Sequence, residues 1–281
     1  MIVAHMRELS RRSILGAARQ PGNYIPGLFF PFMLTAVYAS QFAKAVDIPG
    51  FPFPEASFLE FVLVGSVLQG VSFGAINGGS ELALDIENGF MDRLLSSPVA
   101  RPAIIVGRLA GSMTYAVVLS SILTTVFVIM GADIAGGAAA VVALLATSML
   151  LALFLGGVGV ALGLRTGSQE VVQSIFPLIF VAVFASSAFF PVDLMDGWYG
   201  AIARNNPITW VIDPVRRLTV VEFAWSDVGQ ALGVAGGLSV VTVSWAFLED
   251  LEFCQRSALI FLTCIVLLNH LGRMSMANGR Q

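Results

Sequence analysis

The sequence predicts an all-α polytopic membrane protein with six transmembrane helices. Of the 281 residues, 57% are apolar and 12% are charged, whereas a soluble domain carries about 25% charged residues. The mean hydropathy is +0.84, and the 28 glycines are also typical of membrane helices. Six apolar stretches of about twenty residues are each long enough to cross a hydrocarbon core of about 30 Å.

The first element is a polar N-terminal segment, residues 1–23, which precedes the first span. It carries four arginines and one glutamate. Its apolar residues Ile2, Met6 and Leu9 recur at helical spacing, so they share one face of a helix. The segment therefore predicts an amphipathic helix that lies in the membrane interface.

The six predicted spans are the elements that follow. They cover residues 24–42, 58–79, 103–130, 136–164, 171–190 and 228–248. If the N-terminus is inside, eleven of the fifteen Lys and Arg residues lie on the cytoplasmic side and four lie outside. Because cytoplasmic loops are enriched in Lys and Arg, this distribution predicts an N-in, C-in topology.

Residues 249–281 form an atypical C-terminal tail after the last span. It opens with Glu249, Asp250 and Glu252, where arginines are expected next to a cytoplasmic membrane face. An apolar stretch of fourteen residues follows at 258–271, and as a helix of about 21 Å it falls short of a full crossing. An interfacial helix is the first interpretation, and a seventh span and an unstructured tail remain as alternatives.

The sequence lacks the motifs of an enzyme that binds its own nucleotide or metal. A Walker A loop needs a Lys after a Gly-rich stretch, and the single lysine, Lys44, follows Ser-Gln-Phe-Ala. The two Cys and the two His residues lie too far apart for a metal site. We therefore expect a non-enzymatic membrane subunit without catalytic, cofactor-binding or metal-binding residues.

No carboxylate lies in the middle of a predicted span. Carboxylates at membrane depth usually mark proton or ion pathways, so this distribution argues against a proton-driven exporter. A transporter without such a relay takes its energy from elsewhere, and a separate ATPase is the expected source.

Two predicted spans carry polar and aromatic residues along one helical face. In span 2 these are Gln69, Phe73 and Asn77, and in span 5 they are Gln173, Phe176 and Phe180. Spacings of three and four residues place the members of each set one above the other. Such a face serves either helix–helix packing, in which polar side chains bond between helices, or the lining of a pathway for an amphipathic substrate.

The loop after span 2, residues 80–98, predicts a short amphipathic helix on the cytoplasmic side. Its apolar residues Leu82, Ile86, Phe90 and Leu94 share one stripe, and Gly89 allows a bend between them. A helix with such a stripe and mixed charges outside the bilayer is a suitable contact for a soluble partner.

The same loop resembles the signature of ABC-2 type exporter permeases, and most of all that of the daunorubicin-resistance-type drug exporters. The shared pattern is Glu-x-Gly-x-x-Asp-Arg-Leu-x-x-x-Pro, from Glu87 to Pro98. In that family the loop docks on the nucleotide-binding subunit. The resemblance therefore implies that the coupling residues are Glu87, Gly89, Phe90, Asp92, Arg93, Leu94 and Pro98.

A second segment before span 6, residues 206–217, is similar to the family's Asn-Pro-hydrophobic-Thr-aromatic segment. The resemblance implies an outer re-entrant helical hairpin between spans 5 and 6. Its motif residues here are Asn206, Pro207, Trp210, Asp213 and Arg216. Asp213 followed by Pro214 is also a good helix start, so the sequence predicts that a helix restarts there.

The two motifs imply that residues 1–248 form an ABC-2 type transmembrane domain in the plasma membrane. Such a permease subunit exports a hydrophobic or amphipathic compound, drug-like or lipid-like, while ATP and Mg²⁺ bind to a partner ABC ATPase. Membrane lipid and a second permease copy, in a homodimer or a heterodimer, are further expected partners, and nucleic acid is not. The alternatives are a polysaccharide or lipid exporter of the same family, a proton-coupled drug exporter, and an anchoring membrane protein without transport.

Overall fold

The computed structural model describes residues 2–19, 22, 24–47, 51–53, 56–96 and 101–278. All regular structure in these residues is helical, which confirms the predicted all-α class. The α-helices are α1 (Ile2–Arg19), α2 (Tyr24–Gln41), α3 (Phe58–Ala75), α4 (Asn77–Glu87), α5 (Phe90–Leu95), α6 (Arg101–Ile129), α7 (Gly137–Thr166), α8 (Gln169–Gln173), α9 (Phe176–Phe184), α10 (Gly197–Arg204), α11 (Pro207–Val220) and α12 (Trp225–Asn278). Short 3₁₀ helices lie at Ala45–Asp47 and Val192–Leu194.

Four helical stretches in the described part of the chain are long and apolar enough to cross a membrane. They are Phe58–Glu87, Pro102–Ile129, Gly137–Thr166 and Trp225–Phe253, and they lie where spans 2, 3, 4 and 6 are predicted. Helix α2 and the pair α8–α9 lie where spans 1 and 5 are predicted, but neither of them is both as long and as apolar as these four stretches. The six-span topology and its orientation therefore stay predictions.

The stretch α3–α4 is the centre of the helical bundle. Ser57 caps α3, because its hydroxyl accepts from the Glu60 N–H while the Glu60 carboxylate accepts from the Ser57 N–H. Helix α3 is buried on nearly every side, against α2, α6, α7 and α11, and its sequence is accordingly apolar all round. A single residue, Ile76, separates α3 from α4.

Glycines let the central helices approach each other closely. A methyl group at Gly79 would overlap the backbone of Gly159, and one at Gly74 would overlap the ring of Tyr115. Tyr115 in turn stacks on Tyr24, with 4.9 Å between the ring centroids. Membrane helices associate through such close contacts between small residues, which here fix α4 against α7 and α3 against α6.

Helix α12 runs without interruption from Trp225 to Asn278. Its contacts are chiefly with α7 and α11. The backbone of residues 249–278 therefore continues the last span as a helix, and the interfacial position of this tail stays a prediction.

Helix α9 is short and ends before predicted span 5 does. It covers nine residues, about 13 Å along its axis, and the backbone of residues 185–190 is not helical. Ser186, Ser187 and Ala188 in this segment are buried. We refer to residues 185–190 as the backbone break.

Helices α10 and α11 follow the backbone break, with Asn205 and Asn206 between them. The Asn206 side-chain oxygen accepts from the Ile208 N–H at 2.9 Å, and Pro207 occupies the first helical position of α11. The predicted helix start at Asp213 is wrong, because α11 already begins at Pro207 and continues through Pro214. The Asp213 carboxylate is therefore available for contacts outside its own helix.

Candidate functional site

The described part of the first motif, residues 87–96, lies at one end of the bundle, which we call the α5 end. Gly89 has a φ of +66°, which L side chains rarely adopt, and so permits the turn between α4 and α5. Glu87 Oε1 accepts from the Gln169 N–H at 2.8 Å and thereby ties α4 to the start of α8. Pro98 and the Asp92 side chain lie outside the described residues.

Helix α5 has one buried and one exposed face. Met91 is buried in a cluster with apolar residues of α4, α6 and α7, and Leu94 packs at the edge of that cluster. Arg93 is exposed. The guanidinium of Arg12 lies 4.9 Å from the centroid of the Phe90 ring. The predicted amphipathic helix is thus divided into α4 and α5, and Arg93 lies on the exposed face of α5.

Helix α1 reaches the α5 end by packing on α6. Leu9 and Ser13 of α1 lie against Gly107 and Gly111 of α6, where a methyl group on either glycine would crowd them. Together with the guanidinium contact to Phe90, this places α1 beside α5. The sequence predicts α1 itself but not this position, because the close approach depends on glycines of another helix.

An ion cluster joins α4 to α6 at the same end. Arg108 Nη1 lies 2.7 Å from Glu81 Oε2, and Arg108 Nη2 donates to Asp85 Oδ2. The Arg108 side chain is 15% exposed, so two carboxylates one helical turn apart share a largely buried guanidinium. Sequence reasoning missed this cluster because Arg108 is 27 positions from one acid and 23 from the other, although the i, i+4 spacing of the acids is a visible signal.

A cavity of about 450 Å³ opens between α1, α4, α5, α6 and α8. Its walls combine the ion cluster of Arg108 with apolar residues such as Leu84 and Ile104. Asn77 and Gln173, from the two predicted polar faces, both line it. The cavity, which we call the α5-end cavity, therefore brings the predicted faces of spans 2 and 5 together.

A row of aromatic rings leads away from this cavity along α2, α3 and α9. Phe73 stacks on Phe176 with 4.9 Å between the ring centroids. Phe30 contacts Phe73 at 5.4 Å and Phe180 at 5.5 Å. The predicted aromatic residues of the two faces therefore do meet, and Phe30 of α2 joins them without having been predicted.

The row continues past Phe180 towards the backbone break. The centroids of Phe180 and Phe184 are 4.5 Å apart, those of Phe184 and Phe189 are 5.2 Å apart, and Tyr38 lies 5.2 Å from Phe189. We call this continuous set the aromatic track, and it consists of Phe176, Phe73, Phe30, Phe180, Phe184, Phe189 and Tyr38.

Gln69 lies one helical turn before Phe73 and is the buried member of the predicted face in span 2. Its side chain is 1% exposed, and neither its Oε1 nor its Nε2 has a hydrogen-bond partner in the described part of the chain. The Ser66 hydroxyl, three residues earlier, lies 2.6 Å from Thr35 Oγ1 of α2 and is therefore paired. Gln69 does not line the α5-end cavity with the other two predicted polar residues.

The second motif lies at the opposite end of α3, which we call the α11 end. Arg216 is 1% exposed, and its Nε donates to the Phe61 carbonyl in the first turn of α3 at 3.0 Å. Its Nη2 donates to the Ser187 and Ala188 carbonyls at 2.6 and 3.0 Å, and its Nη1 lies 3.1 Å from Asp213 Oδ1. This one side chain therefore connects α11, the backbone break and α3.

Arg216 keeps its charge at neutral pH despite this burial. Desolvation lowers the pKa of the guanidinium to about 10, and the Asp213 carboxylate opposes that change by raising it. Helix α11 is not one of the four membrane-crossing stretches. The charge is balanced by Asp213, by the carbonyl groups and by the Phe61 ring, whose centroid lies 4.0 Å from Arg216 Cζ.

Asn206 and Trp210 complete the second motif with contacts to neighbouring helices. Asn206 Nδ2 donates to the Ala182 and Ala185 carbonyls at 2.6 and 2.9 Å. Asn206 therefore provides hydrogen-bond partners both for carbonyl groups at the C-terminal end of α9 and for an N–H group at the N-terminal end of α11. Trp210 Nε1 donates to the Arg204 carbonyl at 2.8 Å and so fastens α11 to α10, while its ring is 45% exposed.

Comparisons with known proteins extend over both motifs and the cavity. A sequence model described as ABC-2 type transporter matches residues 5–219. The chain is 29% identical over 222 residues to the daunorubicin resistance ABC transporter permease protein DrrB1 of Streptomyces coeruleorubidus. This alignment covers 76% of this chain and 73% of the relative. The chain is also similar to the putative transport permease ycf38 of Porphyra purpurea, with 24% identity over 258 residues, which are 85% of this chain and 86% of the relative. The ycf38 protein of Cyanophora paradoxa is 28% identical over 218 residues, which are 75% of this chain and 72% of the relative.

Proposed function

The chain belongs to the ABC-2 type transporter family, and from this premise we propose that it is the permease subunit of an ATP-driven exporter. ATP and Mg²⁺ bind to a separate ABC ATPase, which docks on the exposed face of α5. The α5 end faces the cytoplasm and the α11 end faces outwards across the plasma membrane. The substrate is a hydrophobic or amphipathic compound, and the name of the Streptomyces relative favours a drug-like one.

The observation that carries this proposal is the connection between the α5-end cavity and the aromatic track. Phe73 lies one helical turn from Asn77, and Phe176 lies three residues from Gln173, so the first rings of the track adjoin residues that line the cavity. A substrate that enters between polar and apolar walls therefore passes directly onto a row of rings. An aromatic pair contributes only about 0.5–1.5 kcal/mol beyond area burial, so such a row suits a substrate that must be released again.

A second permease copy completes the pathway in this proposal. Helices α2 and α9, which carry most of the track, also expose apolar side chains, among them Ile25, Phe29, Leu178 and Val181. A second copy placed against α2 and α9 would cover these side chains and separate the track from lipid.

The test is ATP-dependent transport of the planar amphipathic dye Hoechst 33342 by the chain and its co-purified ABC ATPase in proteoliposomes. Phe73→Leu should lower the transport rate at least tenfold, because Phe73 contacts three other rings of the track, at 5.4, 4.9 and 6.3 Å. A tenfold change corresponds to about 1.4 kcal/mol. The chain without the ATPase should neither hydrolyse ATP nor transport the dye.

The control is Phe127→Leu, the same substitution at a ring of α6 away from the track. Phe127 is fully buried, whereas Phe73 is half-buried, so the control removes at least as much packing. Transport per folded protein should stay near the parental rate in this variant. An equal loss in both variants would show that the rings only pack, and transport by the chain alone would show that the energy source is not a separate ATPase.

A further inference from the structure

The backbone break depends on hydrogen bonds from α11. Within a membrane protein, non-helical backbone is tolerated where protein groups satisfy it. The Ser187 N–H donates to Thr209 Oγ1 at 3.1 Å, and the Ser187 and Ala188 carbonyls accept from Arg216. The Ser187 hydroxyl also bonds to Asp213 at 2.5 Å. Three side chains on one helix therefore hold the break in its non-helical conformation.

Arg216 is the only one of these three side chains that also reaches α3. Its Nε bonds to the Phe61 carbonyl, and its guanidinium lies over the Phe61 ring. The break itself lies directly on α3, because a methyl group at Gly65 would overlap the backbone of Ala188. Arg216 therefore fixes the position of the break against α3, and not merely its local conformation.

The break is also where the aromatic track ends. Phe184 is the last residue of α9, Phe189 lies within the break, and the two rings contact each other at 5.2 Å. Phe189 then meets Tyr38 of α2. A movement of residues 185–190 away from α3 would separate Phe189 from these neighbours and open the far end of the track.

We propose that Arg216 is the positioning residue that closes the outer end of the substrate path, by holding the backbone break against the start of α3. This inference rests on the proposed function, since it takes the aromatic track as the path. The planar guanidinium donates in several directions at once, to acceptors on three elements, which a lysine ammonium on a single flexible stem cannot reproduce. Release of the break from Arg216 opens the exit.

The test measures access to the break in the purified chain in lipid nanodiscs, where both faces of the membrane are exposed to reagent. The reporter is Ser186→Cys, a nearly isosteric change at a side chain that is 1% exposed, in a background with Cys254→Ser and Cys264→Ser. Arg216→Lys should raise the rate of maleimide labelling of the reporter at least tenfold. The melting temperature of the Arg216→Lys variant should remain close to that of the parent, which distinguishes opening of the backbone break from unfolding of the protein.

Arg217→Lys is the matched control, because Arg217 is the next residue of α11 but bonds to Asp227 and Gln230 of α12. Its labelling rate should stay within twofold of the parent. If Arg216→Lys does not fold, Asp213→Asn provides the second variant, since it removes the ion pair to Arg216 and should raise labelling severalfold. Unchanged labelling in the folded Arg216→Lys variant, or in Asp213→Asn, would overturn the proposal.

Labelling requires neither ATPase nor substrate, so this experiment separates the two proposals. Loss of dye transport in Phe73→Leu with unchanged labelling in Arg216→Lys would leave the pathway intact and remove the role of Arg216. Faster labelling in Arg216→Lys with normal transport in Phe73→Leu would show that Arg216 holds the break in place, but that the aromatic track is not the substrate path.

Discussion

At the scale of single residues, Gln69 is the buried polar group whose amide the described structure leaves unpaired. Leaving a buried donor or acceptor without a partner costs about 1–3 kcal/mol of stability. Ser66 and Thr35, which lie near it in α3 and α2, avoid that cost by bonding to each other. In the proposed pathway the substrate supplies the partner that Gln69 lacks, as its polar group passes Phe73.

Gln69→Leu should therefore leave the melting temperature of the purified chain unchanged or raise it. Transport of a substrate with hydrogen-bonding groups should fall about tenfold, which corresponds to about 1.4 kcal/mol, while transport of a purely apolar dye should not change. The measurements are a thermal melt and the transport rates of the two compounds in proteoliposomes.

Ser66→Ala is the control for this prediction, because it breaks a bond that exists. It should lower the melting temperature slightly, since an interhelical hydrogen bond in a membrane contributes about 0.6 kcal/mol on average, and it should not change substrate preference. If Gln69→Leu instead lowered the melting temperature and slowed both compounds equally, Gln69 would be a packing residue.

Residue by residue, the sequence predicts which side chains share a helical face better than it predicts what they contact. Periodicity places Gln69, Phe73 and Asn77 on one face, and the structure puts Phe73 in the track and Asn77 in the cavity. The motif identifies Arg216, but its bonds run to Phe61 and Ser187, which are 155 and 29 positions away. Partners at such separations follow from tertiary packing, which no local pattern encodes.

At the scale of elements, α5 is the helix on which the proposed ATPase contact depends. Arg93→Ala should reduce the amount of ABC ATPase that co-purifies with the chain, and ATP-dependent transport with it, by several-fold. Arg93 is exposed, and an exposed charge contributes at most about 1 kcal/mol to stability, so the amount of folded permease should not change. The measurements are pull-down of the co-expressed ATPase and dye transport.

The control for α5 is Arg11→Ala on the neighbouring helix α1, where Arg11 lies 4.0 Å from Glu8 and is 71% exposed. Both changes remove one exposed cation at the same end of the molecule, so a general electrostatic effect would alter both equally. Normal ATPase binding and transport in Arg93→Ala would remove the docking role of α5.

The elements differ in how well their sequences predict them. Spans 2, 3, 4 and 6 are predicted where the long apolar helices lie, because a continuous apolar run suffices to specify such a helix. Span 5 is predicted to continue to residue 190, but α9 ends at Phe184, since the sequence stays apolar while side chains of α11 hold the backbone in another conformation. The start of α11 is predicted at Asp213, but Asn206 and Pro207 provide the same cap-and-proline signal earlier in the chain.

At the scale of the whole molecule, the two ends of the bundle differ in chemistry. The α5 end carries Arg11 and Arg12 of α1, the Arg108 ion cluster and the exposed Arg93. At the α11 end, Trp198 and Trp225 are 76% and 78% exposed. Because Lys and Arg are enriched on the cytoplasmic side and Trp at either interface, the basic residues predict a cytoplasmic α5 end and the tryptophans predict a membrane boundary near the α11 end.

The orientation predicts opposite labelling at the two ends in intact cells. Ser96→Cys, at the exposed end of α5, should react with a membrane-impermeant maleimide only after the membrane is permeabilised. Trp198→Cys should react with a membrane-impermeant maleimide added from outside. Trp198 is a better site than Gly197, whose φ of +67° would strain any side chain.

The same two cysteines decide whether the proposed mechanism is geometrically feasible. A soluble ATPase in the cytoplasm can reach α5 only if Ser96 lies inside, and an exit at the backbone break requires Trp198 outside. Outside labelling at Ser96 would invert the molecule and separate α5 from any cytoplasmic ATPase. Labelling of both positions only from the cytoplasmic side would mean that the chain crosses the membrane an even number of times between residues 96 and 198, and not three times as predicted. That result would remove the outward position of α10 and α11 while leaving α5 accessible to the ATPase.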